Sequence, residues 1–143
     1  MADEARVREI VERYFEFVGA DVERADEIYH DDAVLEFPQS GERFEGAATF
    51  TEWRRQYPAD LGKVRFKLRR VTVRTDLAVV ELIASYDGES WLQGVQLLEF
   101  RGEKVARERI YVTEAWEAPE WRAFWRSDTP ADPPDELDPG LND

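Results

Sequence analysis

The side chains of this 143-residue sequence best suited to acid–base work sit on periodic apolar elements. Residues 104–113 alternate as a strand, with Glu108, Ile110 and Val112 on one face and Arg107, Arg109 and Tyr111 on the other. The more apolar set should face a core, which places the Glu108 carboxyl in an apolar wall. Burial penalises the charged form of a carboxyl group and raises its pKa, which is how general acids and bases are tuned. The structural alternative is that Glu108 lies near a rim, or pairs with an arginine or tyrosine. Gln96 shares a strand face with Leu92, Gly94, Leu98 and Phe100, and an amide in that setting needs a partner: Tyr14 or a ligand carbonyl. Tyr14 falls in the apolar stripe of a helix, where it serves either as core or as a hydroxyl aimed at a ligand. His30 stands in a turn beside Asp31 and Asp32, a setting that favours capping and turn hydrogen bonds.

Composition narrows the chemistry further. Cysteine is absent, so no disulfide, thiolate metal site or cysteine nucleophile can form. A single histidine rules out a multi-histidine metal site, and no cofactor is expected. The formal charge of -13 is uneven. Residues 127–143 hold six acids and no base, leaving 26 acids against 19 bases in residues 1–126. An acidic body disfavours nucleic acid and anionic membranes as partners. Residues 1–10 carry no apolar leader, and no 18-residue apolar run occurs, so a cytoplasmic setting without membrane insertion is expected.

The elements that position these residues read as follows. Val7, Ile10, Val11, Tyr14, Phe15 and Val18 mark a helix over 3–18, ended by Gly19. Asp21 caps a second helix through Tyr29, and 30–32 turn out of it. Residues 33–37 form a short strand stopped by Pro38, with a polar loop to Gly46. A third helix spans 47–57, carrying Phe50, Trp53 and Tyr57, and Pro58 bars its continuation. Long strands follow from 63 to 113. The first slips phase near Arg69 and Arg70, predicting a β-bulge and a bend. Asp87-Gly88 and Arg101-Gly102-Glu103 make hairpin turns, so these strands form an antiparallel meander. Residues 120–126 read as a compact aromatic helix. The Pro-rich acidic stretch 127–143 reads as a disordered tail after a single domain of residues 1–126. The fold class is therefore α+β: a curved antiparallel sheet forming an incomplete barrel, three helices on one face, and a cavity between.

That order, together with several stretches, resembles the nuclear-transport-factor-2-like superfamily. Within it, the match is to the polyketide-cyclase-like (SnoaL-like) and ketosteroid-isomerase-like branch. The stretches are 10–14 in the first helix, 29–38 at the helix-to-strand passage, Phe44-Glu45-Gly46 before the third helix, and 98–105 with 107–111; the resemblance covers roughly residues 7–115. It implies the cystatin-like cone of sheet closed by helices, a pocket inside it and a dimer. Family members include isomerases, cyclases, dehydratases, epoxide hydrolases and non-catalytic binding modules.

Carried over residue by residue, the first-helix tyrosine of the isomerase-like members matches Tyr14. Their strand base falls on Phe37, which cannot take a proton. Their oxyanion acid falls on Gln96, whose amide donates a hydrogen bond but is no general acid. An epoxide-hydrolase site needs an aspartate–arginine–aspartate set, and residues 91–113 contain no aspartate. The expected ligand is a small hydrophobic cyclic or aromatic molecule, walled by Phe37, Trp53, Tyr57, Leu82, Leu98 and Ile110 with Gln96 as the polar member. Trp91 joins Trp53 and Tyr57 as candidates for the mouth. An acid–base enzyme using Tyr14, Gln96 and Glu108, a non-catalytic dimerisation module and a solidly packed interior are the alternatives. Trp91, Val95 and Leu97 lie opposite Gln96, so a homodimer through the sheet face is expected. Lys63, Arg65, Lys67 and Arg69 form a basic row that cross-strand acids such as Glu81 would balance.

Overall fold

The computed structural model describes residues 2–56, 65–85, 90–129 and 131. Tyr57, Lys63, the Asp87-Gly88 turn and most of the acidic tail lie outside these. Helix α1 (Glu4–Phe17) begins at Asp3, whose carboxylate accepts the Arg6 backbone N–H at 2.8 Å. Such a cap contributes about 1 kcal/mol. Its apolar stripe buries Val7, Ile10, Val11, Tyr14 and Phe15. Gly19 does not take the left-handed conformation expected of a helix stop. Instead the Phe17 carbonyl accepts from the N–H groups of Ala20 and Asp21, closing the turn.

Asp21 caps α2 (Val22–Ala25) as expected, accepting from Arg24 N–H at 3.1 Å, but the α-helix is only one turn long. A 3₁₀ turn (Asp26–Ile28) follows, and strand β1 (Tyr29–Phe37) starts directly after it. The strand therefore begins four residues earlier than the sequence pattern indicates. The reason is an irregularity: β1 pairs in parallel with β6 (Lys104–Glu114), Tyr29 opposite Val105 and Val34 opposite Arg107. Residues 30–33 thus bulge from the ladder, which masks their strand character. His30 is held there, with Nε2–H donating to the Arg101 carbonyl at 2.6 Å, and Arg101 also pairs with Asp32 at 2.8 Å.

The polar loop after Pro38 contains a short strand, β2 (Glu42–Glu45), antiparallel to β1. Helix α3 (Ala47–Arg55) starts at Gly46, whose φ of +90° suits a residue without Cβ. Strands β3 (Arg65–Arg74), β4 (Leu77–Ser85), β5 (Leu92–Arg101) and β6 make the expected antiparallel meander. The register shift between Leu68 and Arg70 is the predicted bulge. The sheet order is β2-β1-β6-β5-β4-β3, curved but not closed, and mixed rather than purely antiparallel because of the β1–β6 pair. Helices lie on its concave face, where Leu35, Phe50, Val80, Leu98 and Val105 complete the core. Arg69 meets Glu81 at 3.8 Å, the cross-strand partner expected for the basic row. Residues 120–126 depart from expectation: only a 3₁₀ turn (Glu120–Arg122) forms, and Trp121, Phe124 and Trp125 are exposed.

Candidate functional site

Between helices and sheet lies a cavity of about 500 Å³, within the range of small-molecule sites. The sheet contributes Phe66, Leu82, Ala84, Leu92, Gly94, Gln96, Ile110 and Val112; the helices contribute Tyr14, Val18, Val22, Trp53 and Arg54. Gly94 helps keep it open, because a Cβ there would already touch Leu82 and Val112 side chains. At one side Phe37, Phe44 and Trp53 pack as an aromatic cluster with ring centres 5.3–6.1 Å apart. Gln39, Ser40 and Glu42 form a polar rim. Glu42 is the only carboxylate among the described lining residues, and it is exposed, accepting from Ser40 Oγ at 2.6 Å.

Of the residues singled out from sequence, Tyr14, Phe37, Trp53, Leu82, Gln96 and Ile110 line this cavity together. Leu98 is fully buried in the core on the same sheet face but off the lining. Trp91 is also off the lining, with the Lys67 ammonium 4.7 Å from its ring centre. Glu108 points inward and is fully buried, yet it too is off the lining and contacts neither Tyr14 nor Gln96 by hydrogen bond. It lies one layer deeper, where Tyr29 Oη donates to its Oε1 at 2.6 Å.

That deeper layer is built around Arg54. The guanidinium donates from Nη1 to Asp26 Oδ1 at 2.6 Å and from Nη2 to Tyr29 Oη at 3.3 Å, and Nη2 stands 3.9 Å from Glu108 Oε2. Thr51 Oγ1 donates to the other Asp26 oxygen at 2.7 Å. The Arg54 side chain is only 11% exposed, and its guanidinium also lies 5.5–5.8 Å from the rings of Tyr14, Tyr29 and Trp53. Burial raises the Glu108 pKa, with Arg54 and the Tyr29 hydrogen bond opposing. Burial likewise pushes the Tyr14 phenol well above its usual range, against the pull of Arg54 and a hydrogen bond with Tyr29. Tyr14 at the cavity, Tyr29 behind it and Glu108 at the back thus form a connected row.

Gln96 Oε1 is inaccessible and has no hydrogen-bond partner among the described residues. Gln96 nevertheless lines the cavity, where its amide is the polar group of the sheet wall. The polar end of an otherwise apolar cavity is therefore made of the Tyr14 hydroxyl, the Arg54 edge and the Gln96 amide.

A family model described as the SnoaL-like domain matches residues 11–108. The chain belongs to the SnoaL-like domain family. No curated protein matches it. Among solved structures, a nuclear-transport-factor-2-like protein of unknown function from Burkholderia xenovorans LB400 is 31% identical, over 88% of this chain and 97% of that one, with a TM-score of 0.76. A putative ketosteroid isomerase from Kribbella flavida DSM 17836 is 27% identical, over 92% and 95%, with a TM-score of 0.80. SalBIII, an epoxide hydrolase/cyclase-like enzyme with a role in pyran ring formation in polyether salinomycin, shares the fold at 21% identity, over 81% and 100%, with a TM-score of 0.66.

Two members of this SnoaL-like domain's site escaped the sequence reading. Arg54 follows Trp53 on α3 and looks like an ordinary surface arginine of a helix's last turn. Asp26 looks like an exposed acid of a short helix. The available signal was the spacing of Phe50, Trp53 and Arg54, three and four residues apart on one helical face. Among the described residues no His/Asp/Glu cluster is placed to hold a metal ion, and no helix is long and apolar enough to cross a membrane.

Proposed function

We propose that this SnoaL-like domain binds a small, mostly apolar cyclic or aromatic molecule bearing an oxygen acceptor such as a ketone. The observation that carries this is the cavity's asymmetry: apolar walls, with the Tyr14 hydroxyl, the Arg54 edge and the Gln96 amide gathered among the described lining residues as hydrogen-bonding groups. A carbonyl oxygen received by Tyr14 and Gln96 would satisfy donors that otherwise face an apolar space, each bond contributing about 1 kcal/mol. Such ligands are compatible with the names of two similar solved structures, a putative ketosteroid isomerase and an epoxide hydrolase/cyclase-like enzyme.

The test compares 2-tetralone with tetralin, which has the same rings without the oxygen, by calorimetry or intrinsic fluorescence. The ketone is expected to bind about tenfold more tightly, and Tyr14→Phe with Gln96→Leu should abolish that preference. Absence of binding by both probes, together with no small molecule carried through purification by mass spectrometry, overturns the reading.

A second reading, proton transfer, draws on the row from Tyr14 through Tyr29 to Glu108. In it solvent water takes the α-proton of a bound ketone while Tyr14 protonates the enolate oxygen, and a neutral Glu108 returns a proton to Tyr14 by way of Tyr29. Phe37 at the family's base position argues against it, so binding is the primary proposal. Deuterium incorporation at the α-carbons of bound 2-tetralone, faster than in buffer and lost in Glu108→Gln, would favour catalysis; buffer-rate exchange refutes it.

A further inference from the structure

Two buried side-chain oxygens of the site lack a hydrogen-bond partner among the described residues: Gln96 Oε1 and Glu108 Oε2. Gln96 is 8% exposed and Glu108 0%. A polar group left unpaired at that depth carries its full desolvation penalty, so each oxygen needs a partner.

The sheet register brings the two residues together. On the concave face Gln96 of β5 stands opposite Ile110 of β6, and Leu98 stands opposite Glu108, so Gln96 and Glu108 are diagonal neighbours. Diagonal residues of an antiparallel pair lie about 7–8 Å apart, within reach of two long side chains. Their neighbours on the flanking strands are apolar, Val80 beside Gln96 and Leu35 beside Glu108. From the helical side the polar groups are already engaged. Tyr29 Oη donates to Glu108 Oε1 and accepts from Arg54. Both Asp26 oxygens are taken, one by Arg54 and one by Thr51. Tyr14 is hydrogen-bonded with Tyr29. Arg54 Nη2 stands 3.9 Å from Glu108 Oε2, beyond hydrogen-bond distance. The partner left for each unpaired oxygen is the other residue.

Two acceptors cannot bond each other, so one residue must supply a hydrogen. Glu108 Oε1 already accepts from Tyr29, which leaves Oε2 as the place for an acid proton. A protonated Oε2 would donate to Gln96 Oε1. An ionised Oε2 would instead accept from the Gln96 NH₂ group, after the half-turn of the amide that exchanges its two ends. We infer that Glu108, itself off the cavity, positions the Gln96 amide and thereby sets which class of ligand the cavity prefers. With Glu108 protonated, the NH₂ end faces the cavity and favours a ketone. With Glu108 ionised, the carbonyl end faces it and favours an alcohol. Burial raises the Glu108 pKa against the opposing pull of Arg54 and Tyr29, which puts the exchange above the ordinary carboxylate range. The ligand preference rests on the ketone-binding reading of the cavity; the turn of the amide does not.

Nuclear magnetic resonance titration of the full chain tests the turn. The Glu108 carboxyl carbon, assigned by its loss in Glu108→Gln, should titrate above the ordinary carboxylate range, and the Gln96 side-chain amide resonances should shift with the same midpoint. In Glu108→Gln, where an amide N–H stands in for the acid O–H, the Gln96 resonances should not vary with pH. Calorimetry with 2-tetralone and 2-tetralol reads the consequence. The affinity ratio, ketone over alcohol, should fall at least about tenfold as pH rises through that midpoint. It should stay with the ketone at every pH in Glu108→Gln and lose its pH dependence in Gln96→Leu. A Gln96 amide indifferent to the Glu108 titration, a Glu108 that keeps one protonation state wherever the protein is folded, or a ratio flat across the midpoint overturns the inference. Binding of neither compound at any pH overturns the ligand reading, and the amide resonances still decide the turn.

Discussion

Replacing Arg54 by methionine tests the deepest layer of the site, because it keeps the stem and removes the guanidinium. The structure sets what is lost: the 2.6 Å bond to Asp26, the 3.3 Å bond to Tyr29 and the 3.9 Å contact with Glu108. Asp26, with a side chain 4% exposed, then keeps the Thr51 hydroxyl but no counter-ion. Breaking a buried pair by removing one partner costs about 3–5 kcal/mol, chiefly the uncompensated charge left behind. For a domain of this size that corresponds to a fall in Tm of about 10–15 °C. The same reasoning makes the loss recoverable. In Arg54→Met/Asp26→Asn the orphaned charge is gone while the Thr51 contact can remain, so the double variant should be more stable than Arg54→Met alone by roughly 2 kcal/mol, a coupling typical of contacting groups. Urea and thermal denaturation followed by circular dichroism measure all four corners of the cycle. An Arg54→Met protein within about 1 kcal/mol of wild type, or a double variant no better than the single, would refute the claim that this arginine neutralises a buried acid.

Further predictions follow from the same geometry. Glu108 has a pKa raised by burial in the folded state, so its burial is least costly below the ordinary carboxylate range, and stability is lost as pH rises through the elevated folded value. Glu108→Gln removes that dependence; the variant's stability relative to wild type should rise as pH is increased from the ordinary carboxylate range upward, and a flat or falling difference contradicts the assignment. Ala84→Phe projects a ring into the empty volume. It should change stability by less than about 1 kcal/mol, because space already exists, while weakening 2-tetralone binding at least tenfold; undiminished affinity would place the ligand elsewhere.

Legibility in the sequence followed the range of the forces involved. Strand alternation is local, so the inward direction of Glu108 and Gln96 and the bulge between Leu68 and Arg70 could be read from neighbours alone. Helix periodicity likewise yielded the buried face of α1. The start of β1 could not be read, since residues 30–33 bulge out of a ladder formed with a strand more than seventy positions away. Nor could β2, whose four residues are mostly exposed and gain strand character only by pairing with β1.

The residue pattern by itself determined the class of fold, the meander, the curved sheet's inward face and the absence of thiol chemistry, because these depend on periodicity, turns and composition. Tertiary structure decided which inward residues share one space. Glu108 and Gln96 project from the same face of adjacent strands, yet only Gln96 reaches the cavity, because Tyr29 and Arg54 from other elements close over the carboxylate. Depth within a packed interior is set by side chains arriving from distant parts of the chain, and no local spacing encodes it.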